Sequence, residues 1–165
     1  MIVNLNKNFL INFSLIFLIF IVDRISKIYV INLDKKFLGS EIFSSKFLNI
    51  NLVWNEGIAF GLFSFDQNYL YNILTIFILL IIIIIFFMMI RNKGIKKYSL
   101  LMILGGALGN FYDRIFYGAV PDFIDFHISN FHWFIFNFAD IFITIGVIFM
   151  IISEYIGTNN EESTS

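Results

Sequence analysis

The chain has 165 residues, of which 59% are hydrophobic and 14% are charged, and its mean hydropathy is +0.84. A soluble domain averages about 45–50% apolar and about 25% charged residues, so the composition indicates an integral membrane protein of one domain. The formal net charge of −1 gives no basis for binding nucleic acid. The absence of Cys excludes a thiol nucleophile, a disulfide framework and a Cys metal site, and two His are too few for a His-rich metal site. We therefore expect no cofactor and no metal.

Four segments are long and apolar enough to cross a bilayer, which takes about 20 residues. The first continues past its apolar run into "DRISK" without a small-residue cleavage site, so we expect a retained helix rather than a removed signal peptide. The predicted fold is an all-α polytopic membrane protein, a single domain over residues 1–165 with a disordered polar tail at 158–165. The predicted helices cover residues 9–29, 69–90, 98–117 and 134–156.

The segment between the first two helices, residues 34–68, has a strand pattern. "FLNINLVW" alternates apolar and polar residues from Leu48 to Leu52, which is typical of a half-buried strand. "NEGIAFGLF" follows, and Gly57 and Gly61 permit tight turns there. We expect a small extracytoplasmic β-sheet that rests on the membrane surface and can close over a cavity as a lid.

The short loops predict the orientation. "RNKGIKKY" joins the second and third helices with four basic residues and no acid, so the positive-inside rule places the 91–97 loop in the cytoplasm. Both termini are then cytoplasmic, and segments 34–68 and 118–133 lie outside. Three Lys in segment 34–68 make this bias modest.

The ionisable residues of the predicted bundle gather at one depth, near its outer end. A charge at the centre of a bilayer costs at least ~2.5–3.5 kcal/mol and by default indicates function. The alternative to a functional site is a set of ion pairs that only orients the helices. The clustering of the charges at one depth favours the functional site over this alternative. The residues are Asp23, Arg24, Lys27, Asp113, Arg114, Asp122, Asp125 and Asp140.

Two of these acids are predicted to meet. Gly118 is a natural helix stop, and Pro121 disfavours helix just before it, so Asp122 should leave the third helix on an extended turn and face Asp140. Two carboxylates in a site of low dielectric cannot both ionise cheaply and share a proton, which is the chemistry of aspartic proteases. The same acids suit a small proton-coupled transporter or channel subunit, although relay acids should be spread through the membrane thickness. A purely structural anchor is a third reading.

The motifs "DRISK", "NEGIAFG", "GGALGNFYDRIFYGAVPDFID" and "FNFAD", in this order and spacing, resemble lipoprotein signal peptidase, also called signal peptidase II. The resemblance covers residues 23–146. It implies a four-helix aspartic endopeptidase of the bacterial inner membrane, with its active site at the outer face and a small outer sheet. It also implies that the chain removes signal peptides from prolipoproteins whose cysteine carries diacylglycerol, and that globomycin-type inhibitors block it. The expected partners are this substrate and membrane lipids, and the chain is expected to be monomeric.

The resemblance also implies the site residues. Its catalytic pair falls on Asp122 of "VPDF" and Asp140 of "FNFAD". Pro121 departs from the family, which usually has an aliphatic residue there. The supporting or substrate-binding positions fall on Asp23, Lys27, Asn55, Gly57, Asn110, Asp113, Arg114 and Asn137. We expect Asp125, His127 and His132 to be surface residues without a catalytic role.

Overall fold

The computed structural model describes residues 7–57, 67–129 and 131–162. Within them the chain forms four helices and four strands. In chain order these are α1 (Lys7–Phe37), β1 (Phe43–Ser44), β2 (Leu48–Asn55), α2 (Gln67–Arg91), α3 (Gly94–Tyr117), β3 (Val120–Ile128), β4 (Phe131–Phe136) and α4 (Phe138–Glu162).

Three of the four helices are long and apolar enough to cross a membrane. The stretches are Phe9–Phe37 in α1, Tyr69–Arg91 in α2 and Phe138–Ile156 in α4. Large apolar side chains on these helices are exposed, as on α2, where Phe77 and Ile84 each expose 58% of their surface. A helix that is apolar on every side and leaves such side chains uncovered is suited to lipid contact.

Helix α3 lies at the centre of the bundle and packs against α1, α2 and α4. Two glycines allow this close approach. A Cβ on Gly106 would lie 2.5 Å from the carbonyl oxygen of Ala139, and a Cβ on Gly109 would lie 2.6 Å from Oδ2 of Asp23. Small residues at helix contacts let backbones approach closely, which compensates in membranes for the weak hydrophobic driving force between helices. These contacts hold α1 and α4 against the same end of α3.

The strands form one antiparallel sheet in the order β1-β2-β3-β4. The predicted strand at residues 48–52 is confirmed as part of β2. The sheet was expected to come from the segment between the first two helices alone, but β3 and β4 come from the connection between α3 and α4. One face packs against the bundle, where Val30, Phe123 and Ile124 form a small buried cluster. The turn predicted at Gly61, with residues 58–66 of the predicted lid, lies outside the described residues.

Several helix boundaries differ from the predicted ones. Residues 134–136 are strand, not helix, because "FHWFIF" is rich in aromatic residues that favour strands and pairs with β3. Helix α4 continues to Glu162, through the first part of the predicted tail, because each added residue of a formed helix gains a hydrogen bond. Helix α1 likewise runs to Phe37. The predicted stop after the third helix is confirmed, since Gly118 caps α3 with φ +70°.

Candidate active site

Asp122 lies in β3 and is almost completely buried, with 3% of its surface exposed. Its Oδ2 accepts a hydrogen bond from Nδ2 of Asn55 at 2.8 Å, and its Oδ1 accepts one from Nδ2 of Asn137 at 2.6 Å. Asn55 is opposite Val120 in the β2–β3 register, so Asp122 is its diagonal neighbour on the same face of the sheet. Strand pairing therefore positions this acid.

Pro121 is accommodated next to this acid without loss of a strand hydrogen bond to β4. Pairing between β3 and β4 begins only at Ile124, so at Pro121 the strand has a neighbour on the β2 side alone. Proline is tolerated in a sheet where a strand has an unpaired side. The departure from the family pattern thus leaves Asp122 paired with Val53 of β2, next to a register shift in that pairing.

The side chain of Asn55 is fixed by a turn that follows β2. The backbone N–H of Gly57 donates to Oδ1 of Asn55 at 2.7 Å, an Asx-type turn. Gly57 has φ +75°, and a Cβ there would lie 2.7 Å from Cδ2 of Leu74. Because Oδ1 of Asn55 is occupied, its Nδ2 faces Asp122. The pair Asn55 and Gly57 therefore orients the amide that binds the acid.

Asp140 is held by the first turn of α4. The backbone N–H of Asp140 donates to Oδ1 of Asn137 at 3.2 Å, and the backbone N–H of Asn137 donates to Oδ2 of Asp140 at 3.1 Å. This reciprocal pair is a capping box, built from Asn and Asp three residues apart at the start of a helix. Oδ1 of Asp140 accepts from Nδ2 of Asn110 at 2.8 Å. The spacing of three residues between Asn137 and Asp140 is thus that of a helix cap.

The two acids lie around one residue, Asn137, whose side chain binds Asp122 and whose backbone N–H binds Asp140. Burial raises the pKa of the Asp122 carboxyl from 3.8 to about 6, the hydrogen bonds from Asn55 and Asn137 oppose this rise, and the nearby charge of Asp140 adds to it. Asp122 therefore changes its protonation state close to neutral pH. A cavity of about 190 Å³, lined by apolar side chains and by Thr144, borders Asp140.

A buried ion network lies beside the two acids and joins α1 to α3. Nζ of Lys27 lies 2.9 Å from Asp23 and 2.7 Å from Asp113. Arg24 makes a two-pronged contact with Asp113, with Nη2 to Oδ2 at 2.7 Å, and also binds Asp23. Asp23, Lys27 and Asp113 are fully buried. The network contains two acids and two bases, so its net charge is zero. Neutrality matters because an unpaired charge is costly to bury.

The network reaches Asp140 and the start of α4 at two points. Nζ of Lys27 donates to Oδ1 of Asn110 at 2.8 Å, which turns Nδ2 of Asn110 toward Asp140. Oδ1 of Asp23 accepts from the backbone N–H of Ala139 at 3.1 Å, in the first turn of α4. An anion at the N-terminus of a helix is favourable, so this contact also fixes where α4 begins. The predicted supporting residues Asp23, Lys27, Asn110, Asp113 and Asn137 are therefore all brought together.

Arg114 is not part of this network. Its Nη1 donates to the backbone carbonyl of Asn110 at 3.2 Å, and its Nη2 would lie 3.6 Å from a Cβ on Gly57. Its guanidinium therefore lies close to the end of β2. The predicted supporting residue Asp113 pairs with Arg24 and Lys27. Arg24 was not among the predicted supporting residues, although it lies next to Asp23 and three residues before Lys27 in the sequence.

Asp125 is not a surface residue, contrary to expectation, since it is 4% exposed. Its carboxylate lies 2.8 Å from Nδ1 of His132, whose side chain is half exposed. The strand pairing that makes this contact was not predicted from the sequence.

The comparisons with known proteins agree with this geometry. The family model for signal peptidase (SPase) II, Peptidase_A8, matches residues 15–156. The chain belongs to the signal peptidase II family. It is 53% identical over 155 residues to the lipoprotein signal peptidase of Pelagibacter ubique (strain HTCC1062), an alignment that covers 94% of this chain and 93% of that protein. It is 42% identical over 143 residues to the lipoprotein signal peptidase of Francisella tularensis subsp. novicida (strain U112), covering 84% and 88%.

Solved structures share the fold. One, described as a bacterial membrane enzyme structure obtained by the in meso method at 1.9 Å resolution, has a TM-score of 0.70 and 34% identity over 86% of this chain and 90% of that one. Another of the same description, at 2.3 Å, has a TM-score of 0.69 and 31% identity over 90% of both chains. The chain is thus a bacterial membrane protease of a family classed as aspartic. The alternative of a proton-coupled transporter or channel subunit is set aside.

Proposed function

We propose that the chain cleaves signal peptides from prolipoproteins whose cysteine carries diacylglycerol, and that Asp122 and Asp140 activate the water that attacks the scissile bond. Membership of the signal peptidase II family supports the reaction. The single observation that supports the residue assignment is that two acids from different elements, the buried Asp122 and the half-buried Asp140, lie around Asn137. Substrate binding is assigned to Asn55 and Gly57 at the end of β2, next to Asp122.

The proposed mechanism uses the two acids with one proton between them. The ionised member takes a proton from water, and the resulting hydroxide adds to the carbonyl carbon of the scissile amide. The protonated member gives its proton to the carbonyl oxygen, which forms a tetrahedral intermediate. As the C–N bond breaks, the first acid returns the proton it took to the leaving nitrogen, and the dyad regains its own proton from the collapsing hydroxyl. No cofactor enters any step.

The amides around the dyad have a separate role in this mechanism. Asn55 and Asn137 donate to Asp122, while Asn110 donates to Asp140. These donors stabilise the ionised form of each acid and fix the direction of its lone pairs. The acids are therefore preorganised for water before the substrate arrives. The ion network of Asp23, Lys27 and Asp113 positions Asn110 and does not itself touch the substrate.

The membrane placement is part of the proposal. Helix α3 crosses the bilayer as a fourth span, because it lies at the centre of three spanning helices and its charged residues lie near its two ends. The basic loop between α2 and α3 is cytoplasmic by the positive-inside rule, so both termini are cytoplasmic and the sheet and the dyad are at the outer face of the inner membrane. A cysteine anchored by acyl chains presents its peptide at that depth. The chain acts as a monomer among membrane lipids and is inhibited by globomycin-type compounds.

The deciding experiment replaces each acid alone. Asp122→Asn and Asp140→Asn are purified, and a diacylglyceryl-modified prolipoprotein is offered; cleavage is followed by the mobility of the product. Each variant is expected to lose at least about 10³-fold in kcat/KM, since the dyad must supply both the base and the acid. Glu41→Gln, which removes an exposed carboxylate on the same outer segment, is the matched control and should cleave like the native chain. Normal cleavage by either folded dyad variant would refute the assignment.

A further inference from the structure

Outside the dyad, three potential metal ligands lie on one face of the hairpin formed by β3 and β4. Asp125 and His127 are two residues apart in β3, so their side chains point to the same side of the sheet. His132 of β4 is directly opposite His127 in the strand register. One ligand atom from each of the three residues can be chosen so that all lie within 4.8 Å of one another. No other group of this kind is found among the described residues.

Two contacts in this cluster resemble those of a metal site. The carboxylate of Asp125 lies 2.8 Å and 3.0 Å, through its two oxygens, from Nδ1 of His132. The Asp125 carboxylate and Nδ1 of His132 are thus close enough to share one ion, which would replace the proton between them because a ligating nitrogen must be deprotonated. The rings of His127 and His132 are nearly parallel, at 23°, with centroids 5.0 Å apart. Both imidazoles are therefore presented to the same region.

His127 supplies the independent observation. Its Nδ1 is buried and has no hydrogen-bond partner within the described part of the chain. A buried polar atom without a partner costs about 1–3 kcal/mol, and most such atoms in native proteins are satisfied by protein, water or an ion. A metal ion between His127, His132 and Asp125 would satisfy it. The ligand atoms of a tetrahedral Zn²⁺ site lie about 3.3 Å apart when each bond is about 2.0–2.1 Å, so the cluster must contract slightly. His132 can move to do this because its side chain is 52% exposed.

We propose that Asp125, His127 and His132 form a binding site for one divalent transition-metal ion of the Zn²⁺ class, with two imidazoles, one carboxylate oxygen and water as ligands. Imidazole suits Zn²⁺, Cu²⁺ and Ni²⁺, whereas Mg²⁺ and Ca²⁺ require sites built from oxygen. The ion links β3 to β4 three residues beyond Asp122, so it stabilises the hairpin that continues the strand of the dyad. This site is independent of the proposed cleavage mechanism, which requires no metal.

The experiment uses the full chain, purified in detergent without a histidine tag and freed of metal by a chelator. ZnCl₂ is titrated by calorimetry, and CoCl₂ is titrated by visible absorption, which reports tetrahedral ligation directly. The native chain is expected to bind one Zn²⁺ with saturation, to show the Co²⁺ bands and to melt at a higher temperature in Zn²⁺. His132→Gln is expected to weaken Zn²⁺ binding at least tenfold, since even residues that only support a ligand contribute about 10–100-fold. Asp125→Asn should also weaken it at least tenfold.

Glu41→Gln is the matched control, because it removes an exposed carboxylate outside the hairpin and should bind Zn²⁺ like the native chain. Because His132 is half exposed, its replacement should leave the fold intact, and the Co²⁺ spectrum of the native chain tests the site without any variant. Absence of saturable Zn²⁺ binding by the native chain would overturn the proposal. So would binding of several ions per chain that His132→Gln leaves unchanged, since this would indicate adsorption elsewhere.

Discussion

The buried acid Asp122 should make the protein less stable as pH rises, and Asp122→Asn should remove this dependence. The pKa of Asp122 is 3.8 in an unfolded chain and about 6 in the fold. Between these values the folded chain keeps a proton that the unfolded chain has released, so the free energy of unfolding falls as pH rises. The stability that Asp122 contributes is fully present below pH 3.8 and is lost as pH rises through about 6. Above that pH, Asp122 is ionised in both the folded and the unfolded chain, so its contribution to the free energy of unfolding no longer changes.

The size of the effect follows from the two pKa values. Relative to the Asp122→Asn variant, the native chain should lose about 2 kcal/mol of stability between about pH 4.5 and pH 7.5. The substitution has a further cost, because Asn55 and Asn137 both donate to the carboxylate and one of them would face the new amide nitrogen. This cost does not depend on pH, so it cancels when the two pH values are compared.

Unfolding of both chains by denaturant in mixed micelles at the two pH values measures the difference. Glu41→Gln, which lacks an exposed carboxylate instead of a buried one, should follow the native chain. If the stability difference between the native chain and Asp122→Asn were the same at both pH values, Asp122 would not hold a proton at a raised pKa. The reasoning that burial raises the pKa of Asp122 would then be refuted.

Two other variants test the surroundings of the dyad. Lys27→Met leaves Asp23 and Asp113 with only one cation between them. It should destabilise the protein by about 3–5 kcal/mol, the usual cost of breaking a buried ion pair. An unchanged melting temperature would show that the ion network does not stabilise the fold. Gly109→Ala places a Cβ 2.6 Å from Oδ2 of Asp23. The overpacking should cost about 1–3 kcal/mol of stability and lower cleavage activity. A variant as stable and active as the native chain would show that α1 and α3 can separate without cost.

Much of the fold could be predicted from the sequence because the dominant signals are local. A run of about 20 apolar residues predicts a helix wherever it occurs, and alternation at Leu48–Leu52 predicts a strand. The strands β3 and β4 were not predicted. The segment that contains β3 has Pro121, and its residues 120–125 are buried on both faces with one acid on each face, so no apolar–polar alternation marks it. Only pairing with β2 and β4, which is a long-range interaction, makes it a strand.

The candidate site was predictable in its acids but not in its contacts. Asp122 and Asp140 stand out because charged residues are rare in this chain, and their motifs resemble a known family. The partner of Asp113 was not predictable, because Arg114 is its sequence neighbour and Arg24 is 89 residues away. The contact between His127 and His132 also depends on the register of β3 and β4. Two separate His in the sequence do not reveal that register. Residue types indicate chemistry, whereas packing between distant segments decides the partners.

Burial is the main cause of the raised pKa of Asp122, and Lys27 of the neighbouring ion network opposes it only weakly. If the network carried an excess cation, the field of that cation would hold Asp122 ionised, and the dyad would have no proton to give. With two acids balancing Arg24 and Lys27, the effect of Lys27 on Asp122 is the smallest of the causes that shift its pKa, and desolvation is the largest. The network can therefore hold α1, α3 and the start of α4 together without removing the proton on which the proposed reaction depends. A single unbalanced charge change in it should alter the protonation of the dyad as well as the stability of the fold.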